Sequence, residues 1–308
     1  MTKTILITGA AGFISRYVGR HFSELGYSVI GIDSSEPENA PLASLTNYYK
    51  LRLPDPLLNE ILQQYQPDVC IHCAGRAAPS LSISEPTPDF YSNTVVTYEV
   101  LNALRLTVPG CRFIYLSSAA VYGNSTLLPI SENQIPAPIS PYGFHKLQAE
   151  MLCQEFTCVY GLPTASVRIF SAYGPGLRRQ VLWDICQKAI TQKTLTLEGI
   201  GQESRDFIHA LDIARAFRFI ADDAPMQGEV YNLAGGQEVT IADLATMILS
   251  ALESECVPQF NGVVPKGTPL NWQADISKLQ ALGFTPSIPM ARGVKTFANW
   301  CLAELVGV

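Results

Sequence analysis

Short apolar runs recur along the first half of the chain, at Thr4 to Thr8, Ser28 to Ile32, Val69 to Cys73, Arg112 to Ser117 and Thr164 to Phe170. Each is too short for a buried helix and is bounded by turn-forming residues, so each reads as a strand buried on both faces. The stretches between them are amphipathic and long enough for crossover helices. This alternation predicts an α/β protein with a doubly wound parallel sheet. After Gly174 the rhythm changes to a basic loop, an apolar helix around Gln180 to Ile190 and a short strand near Leu195 to Leu197. A smaller C-terminal α/β lobe is expected there. The expected division is 1–172 with about 207–235 in the first unit, and about 173–206 with 236–308 in the second. No repeat or low-complexity linker separates them, so a cleft between packed lobes is the expected place for chemistry.

Composition narrows the classes. The 308 residues carry a net charge of -6, which supplies no global basic field to draw the chain to nucleic acid or to an anionic membrane. The apolar run at the start meets Gly9 too early for a signal peptide or a membrane span, so a cytoplasmic protein is expected. Eight cysteines raise the question of zinc or disulfides. Cys70 and Cys73 sit in a strand-like run that would point them to opposite faces, and no second CxxC or ligand-spaced histidine pair accompanies them. Reduced, mostly buried thiols and no metal are expected.

The first strand ends in Thr8-Gly9-Ala10-Ala11-Gly12-Phe13-Ile14-Ser15, and a helix-forming segment follows. Gly9 permits a tight turn. Gly12 has no Cβ to obstruct a pyrophosphate, whose charge would rest on free amides and the positive end of the helix dipole. Ser15 stands where a third glycine often does. The second strand ends in Asp33, about twenty residues beyond the turn, as a Rossmann-type dinucleotide site requires. That carboxylate would accept both ribose hydroxyls and repel a 2′-phosphate, which favours NAD; Arg16, Ser34 and Ser35 are the groups that could offset it. A plain turn residue is the alternative reading of Asp33. Asp55 is a candidate for the adenine amine, with an ordinary helix cap as its alternative.

Tyr142 and Lys146, preceded by Ser140-Pro141, stand at i and i+4 near a helix start and share one face. A tyrosine, with an ordinary pKa of about 10, can serve as a base near neutrality only beside a cation, which Lys146 and an oxidised nicotinamide would supply. Ser118, preferred to Ser117, ends a strand from which its hydroxyl could reach a substrate oxygen. His145 reads as a partly exposed helix residue, and His72 as a strand-end residue lining the cleft or the core.

Taken together, the Thr8-to-Ile14 turn, Ser118-Ala119-Ala120-Val121-Tyr122-Gly123 and the Tyr142/Lys146 pair resemble the nucleotide-sugar epimerase/dehydratase family over essentially the whole chain. The resemblance implies a triad in which Tyr142 takes the proton of a sugar hydroxyl, Ser118 hydrogen-bonds the same oxygen and Lys146 also holds the nicotinamide ribose. It implies that Gly9, Gly12, Phe13, Ile14, Asp33, Asp55, Ala74, Asn93, Tyr142 and Lys146 surround the cofactor. For Asn93 a polar residue on a packed helix face is the alternative. Arg205, in Glu203-Ser204-Arg205-Asp206-Phe207-Ile208-His209, inherits the role of binding the substrate diphosphate. In Arg168-Ile169-Phe170-Ser171-Ala172-Tyr173-Gly174-Pro175, Ser171 replaces the family's asparagine. Arg178 and Arg179 are candidates to compensate, with a solvated surface pair as the alternative. Ala274-Asp275-Ile276-Ser277-Lys278 resembles a closing segment whose usual upstream arginine is missing; Lys266 is the candidate stand-in. In the family's 4,6-dehydratases an Asp-Glu pair follows the active-site hydroxyl, whereas Ala119 and Ala120 occupy those positions here. The resemblance therefore implies an epimerase of a nucleotide-diphosphate sugar, acting at C4 through a 4-keto intermediate. A 4-keto-6-deoxysugar reductase and a non-catalytic dinucleotide sensor are the alternatives. It also implies a homodimer formed by the helices that carry Asn93 and Tyr142, whose apolar faces alone do not distinguish an interface from core.

Overall fold

The computed structural model describes residues 2–192, 194–264 and 269–307. In chain order its elements begin with β1 (Thr4–Thr8), α1 (Phe13–Glu24), β2 (Ser28–Asp33), β3 (Asn47–Lys50), α2 (Leu57–Tyr65) and β4 (Val69–His72). Two short helices follow, α3 (Pro79–Ser84) and α4 (Pro86–Phe90), then a π-turn over Tyr91–Val95 that runs into α5 (Val96–Thr107). Next come β5 (Arg112–Ser118), a 3-10 turn over Ala119–Tyr122, α6 (Pro141–Tyr160), β6 (Thr164–Ile169), β7 (Ser171–Tyr173), α7 (Gln180–Thr191) and β8 (Leu195–Leu197). The chain continues through β9 (Ser204–His209), α8 (Ala210–Asp223), β10 (Gln227–Leu233), β11 (Glu238–Thr240) and α9 (Ile241–Ala251). It closes with β12 (Pro258–Phe260), α10 (Ser277–Gln280) and α11 (Met290–Val306).

Seven parallel strands form the main sheet in the order β10-β6-β5-β4-β1-β2-β3, the doubly wound arrangement. Because successive side chains leave a strand on opposite sides, the central strands feed two separate cores. Ile5, Ile7, Ile71, Ile114 and Val167 pack against Phe22 of α1 and Phe217 of α8. Leu6, Ile30, Cys70, Phe113 and Tyr115 pack against Leu62, Leu101 and Phe156 on the other side. Each large apolar side chain buried this way contributes about 1.5–3 kcal/mol. Cys70 and Cys73 fall on opposite sides of the sheet, and all eight cysteines are free thiols.

The remaining strands form a three-stranded sheet, β11-β9-β7, and a two-stranded one, β12-β8. Around them a third core gathers Tyr173, Leu182, Ile185, Leu244, Ile248 and Phe297 from β7, α7, α9 and α11. The sequence reading omits β3 and β10. Among the described residues no helix is long and apolar enough to cross a membrane.

Candidate active site

The β1–α1 turn is built as a cradle. Gly9 has φ +70°, and a Cβ there would lie 2.7 Å from the backbone nitrogen of Ala74, so only glycine lets β1 end against the end of β4. Gly12 precedes α1 in extended conformation, and no side chain caps the helix. Its first amides are therefore available to an anion at the positive end of the helix. Gly9, Gly12, Ile32, Asp33, Ala74 and Gly75 line a cleft of about 270 Å³. Phe13 and Ile14 supply first-turn amides, while their side chains pack against the third core and the first core respectively. Asp33 Oδ2 accepts from Ala11 N (3.0 Å) and Oδ1 from Ser35 N (2.9 Å), which fixes the carboxylate at the rim of the cradle.

Asp55 stands at the start of α2. Its Oδ1 accepts from Leu57 N (2.9 Å) at the start of α2, and it lines a separate depression with Pro54, Asn59 and Glu99. That contact satisfies one of the amides that a helix start leaves free.

Helix α6 begins at a Ser140 cap whose Oγ accepts from Gly143 N (3.3 Å), with Pro141 in the first turn. A Cβ on Gly143 would sit 2.6 Å from Ala120 O, so the bare glycine lets α6 press against the turn that follows Ser118. This close approach brings Tyr142 beside Ser118, whose side chain acts on the tyrosine hydroxyl. Ser118 Oγ also accepts from Ala120 N (3.2 Å). Lys146 Nζ lies 5.9 Å from the Tyr142 ring centre, 4.8 Å from that of Tyr115, and donates to Leu116 O (2.8 Å). Burial pushes the Tyr142 hydroxyl up to about 12, against the opposing pull of the neighbouring Ser118 side chain and the charge of Arg179. Burial also lowers Lys146 to about 8, with the nearby acidic groups acting in the opposite sense. A bound cation would therefore act strongly on the tyrosine.

Asn93 is buried in the π-turn, and its Nδ2 donates to Arg76 O and Asp89 O (both 3.1 Å). Its Oδ1 has no hydrogen-bond partner among the described residues. A Cβ on Gly75 would sit 2.6 Å from that oxygen and 3.6 Å from Lys146 Nζ, so an orphaned acceptor and the lysine flank the same bare glycine. An orphaned acceptor there, uncapped amides at α1 and two glycines open to the cleft fit a dinucleotide running from Asp33 towards Tyr142.

The other candidates scatter. Arg179 Nη1 donates to Ala77 O (3.1 Å), in the loop after β4. Arg178 is held by Glu304 of α11 (Nε to Oε1 2.9 Å) over the Trp300 ring, which leaves Arg179 as the member of the pair that reaches Tyr142 electrostatically. Ser171 is half-buried opposite Phe207 in the small sheet. Arg205 donates to Ser204 O and Leu270 O and stacks over Trp272, and burial lowers it to about 10, still a cation at neutral pH. Lys266 lies outside the described residues. His145 pairs with the buried Asp89 (2.6 Å), whose charge acts on Tyr142 and Lys146. His72 bonds Thr8 (2.7 Å) and Thr97 (3.1 Å) inside the core, and burial lowers it to about 3.

Sequence reasoning missed the support beneath this site. Glu150 continues the i, i+4 series from Tyr142 and Lys146 and binds Ser117 and Arg168. Arg168 Nη1 donates to Tyr122 (2.8 Å), whose hydroxyl donates to Asn232 (2.7 Å). The helical spacing was the available signal for Glu150. Asp206, fully buried, accepts from Gly236 N and Ala274 N (both 3.0 Å) and ties β9 to two later segments.

The comparisons agree with this geometry. The family model described as the NAD dependent epimerase/dehydratase family matches residues 5–234. A Bacillus subtilis protein described as an uncharacterized UDP-glucose epimerase is 30% identical, over 94% of this chain and 95% of its own. A Salmonella typhimurium dTDP-glucose 4,6-dehydratase is 29% identical over 97% and 93%. The crystal structure of a Bacillus cereus UDP-glucuronic acid 4-epimerase, with UDP-glucuronic acid and NAD, superposes with a TM-score of 0.89 at 27% identity, covering 98% of this chain and 99% of that one.

Proposed function

Because this chain belongs to the NAD-dependent epimerase/dehydratase family, we propose that it is a nucleotide-sugar epimerase that inverts C4 of a nucleotide-diphosphate sugar. The observation that carries the reading is the meeting of Ser118, Tyr142 and Lys146 beside a cleft of dinucleotide-site character. NAD, when bound, would supply the acceptance of a hydride from C4 and its return to the opposite face, with no net consumption of cofactor. Tyr142 takes the hydroxyl proton as the C4 carbonyl forms and gives it back on reduction. Ser118 donates to the same oxygen and holds it at the tyrosine. Lys146 supports the phenolate by its charge and holds the nicotinamide ribose. The 4-keto sugar turns over between the two hydride transfers, with its diphosphate retained by Arg205 and Arg179.

Relatives of this chain include a dehydratase as well as epimerases. Elimination of water from a sugar needs an acid and a base beyond the tyrosine, and Ala119 and Ala120 carry neither. Assembly as a homodimer is part of the proposal. Exposed Tyr98 of α5 and exposed Phe144, Met151, Val159 and Tyr160 of α6 give those helices an apolar outer surface suited to a second copy. Eight free thiols suit a reducing, cytoplasmic compartment.

The test is incubation with UDP-, GDP-, dTDP- and CDP-sugars, without added cofactor and with NADPH, with products resolved by NMR. Inversion without net cofactor use is expected. Reaction of 4-keto sugars alone, with reduced cofactor consumed, would overturn the epimerase reading in favour of a reductase.

A further inference from the structure

Where β2 and β3 end, Ile32, Leu51, Leu53 and Val96 line the cleft as an apolar slot, together with Asp33, Ser34 and Arg52. Asp33 and Lys50 are the last register pair of the two strands, and Leu51 N donates to Asp33 O (2.7 Å), so Arg52 emerges immediately beside this strand end. Several cations surround the region, and most are engaged. Arg16 donates to the carbonyls of Ala11 and Asn39, Lys50 pairs with Glu36, and Arg76 pairs with Glu85 (2.7 Å). Arg52 lines the cleft, is exposed, and has neither an ion-pair nor a hydrogen-bond partner among the described residues.

A guanidinium is a planar fork of donors with no acceptor. The edge of a purine that meets it must present acceptors. Adenine offers N7 beside an amine that is itself a donor. A 6-oxopurine offers N7 and O6 side by side, the pair that arginine grips with two hydrogen bonds when it reads guanine. A carboxylate would suit the adenine amine, but Asp55 is not among the residues that line this cleft and its Oδ1 accepts from the start of α2, and both oxygens of Asp33 are held at the ribose end by Ala11 and Ser35.

We infer that Arg52 reads the purine edge of the dinucleotide, so that the cleft takes a 6-oxopurine dinucleotide at least as well as the adenine one. This rests on the cleft being the dinucleotide site proposed above. Asp33 then serves the ribose hydroxyls and Arg52 the base, and the base reading is through acceptors instead of through the amine.

Calorimetric titration of cofactor-free protein with NAD, nicotinamide hypoxanthine dinucleotide and NADP tests this, on the wild type, Arg52→Ala and Arg52→Lys. The hypoxanthine dinucleotide should bind the wild type as tightly as NAD or tighter. Arg52→Ala should weaken it by about tenfold, the scale of one bidentate base contact, and weaken NAD less. Arg52→Lys, which keeps the charge and loses the fork, should not restore it. Weaker binding of the hypoxanthine dinucleotide than of NAD by the wild type, or an unchanged ratio in Arg52→Ala, would overturn the inference. NADP binding that matches NAD and vanishes in Arg52→Ala would overturn it too, by assigning the guanidinium to the ribose 2′ position. If none of the three binds, the proposed function falls with it.

Discussion

Arg168 grips Glu150 in a fork along one edge of its guanidinium, Nη2 to Oε2 at 2.6 Å and Nε to Oε1 at 3.0 Å, and both side chains are almost wholly out of water. Burial works against the arginine's charge, yet the Glu150 hydrogen bonds and charge outweigh it and raise Arg168 above its ordinary value. Removing one partner leaves the other as an uncompensated buried charge. Glu150→Ala should therefore cost about 3–5 kcal/mol in urea unfolding, and pairing Glu150→Leu with Arg168→Met should recover most of that loss. Full stability in Glu150→Ala alone would show that the pair is not the strut described here.

Tyr142→Phe removes one oxygen atom from a well-packed site. Turnover should fall by about 10²–10⁴-fold or more, while calorimetry finds substrate and NAD still bound. A variant that keeps its rate would assign the proton transfer to another group.

Acid should destabilise the protein through His72. Its folded value of about 3 lies below the ordinary 6.5 because burial disfavours the charged ring. Between those two values the unfolded chain holds the extra proton, so stability is fully present above about pH 6.5 and is lost as pH falls towards 3. The loss amounts to about 4 kcal/mol across that window. His72→Gln should start less stable, having lost the bonds to Thr8 and Thr97, but should lose less over the same range. Parallel slopes of denaturation midpoint against pH in the two proteins would refute the assignment.

Gly9→Ala should weaken both fold and cofactor retention. The new methyl would meet Ala74 N at 2.7 Å and the Cys73 carbonyl carbon at 2.9 Å, and both are main-chain atoms that cannot swing aside. The left-handed conformation alone costs about 1–2 kcal/mol for a residue with a Cβ. A lower melting temperature and less NAD bound to the purified protein are expected; unchanged values of both would mean that the turn has room the geometry does not show.

The central strands are legible in the sequence because burial on both faces demands unbroken apolar runs. β3, Asn47–Lys50, escapes notice because it is an edge strand whose Asn and Lys are exposed and whose two tyrosines are only half-buried. β10 begins at Gln227 with a register shift near Gly228 that blurs its pattern. Tyr142 and Lys146 are readable together because one helical turn suffices to align them. Ser117, Glu150, Arg168, Tyr122 and Asn232 come together only when β5, β6, β10 and α6 have packed, and no local spacing encodes that. Asp55 shows a different ambiguity, since its position along the chain fits a ligand role while a free helix amide, Leu57 N, donates to it.

The place of β10 also bears on the order in which the protein can be made. β10 pairs with β6, whose six residues are all buried, yet the whole of β7 to α8 lies between them in the chain. During synthesis six strands of the sheet can assemble while the flank of β6 is still bare, and its partner emerges only after β7 to α8 have been made. For that interval the growing chain carries an open, apolar strand edge of the kind that recruits foreign strands. The segment from Ser171 to Asp223 thus sets how long the nascent protein must be shielded before its sheet can close.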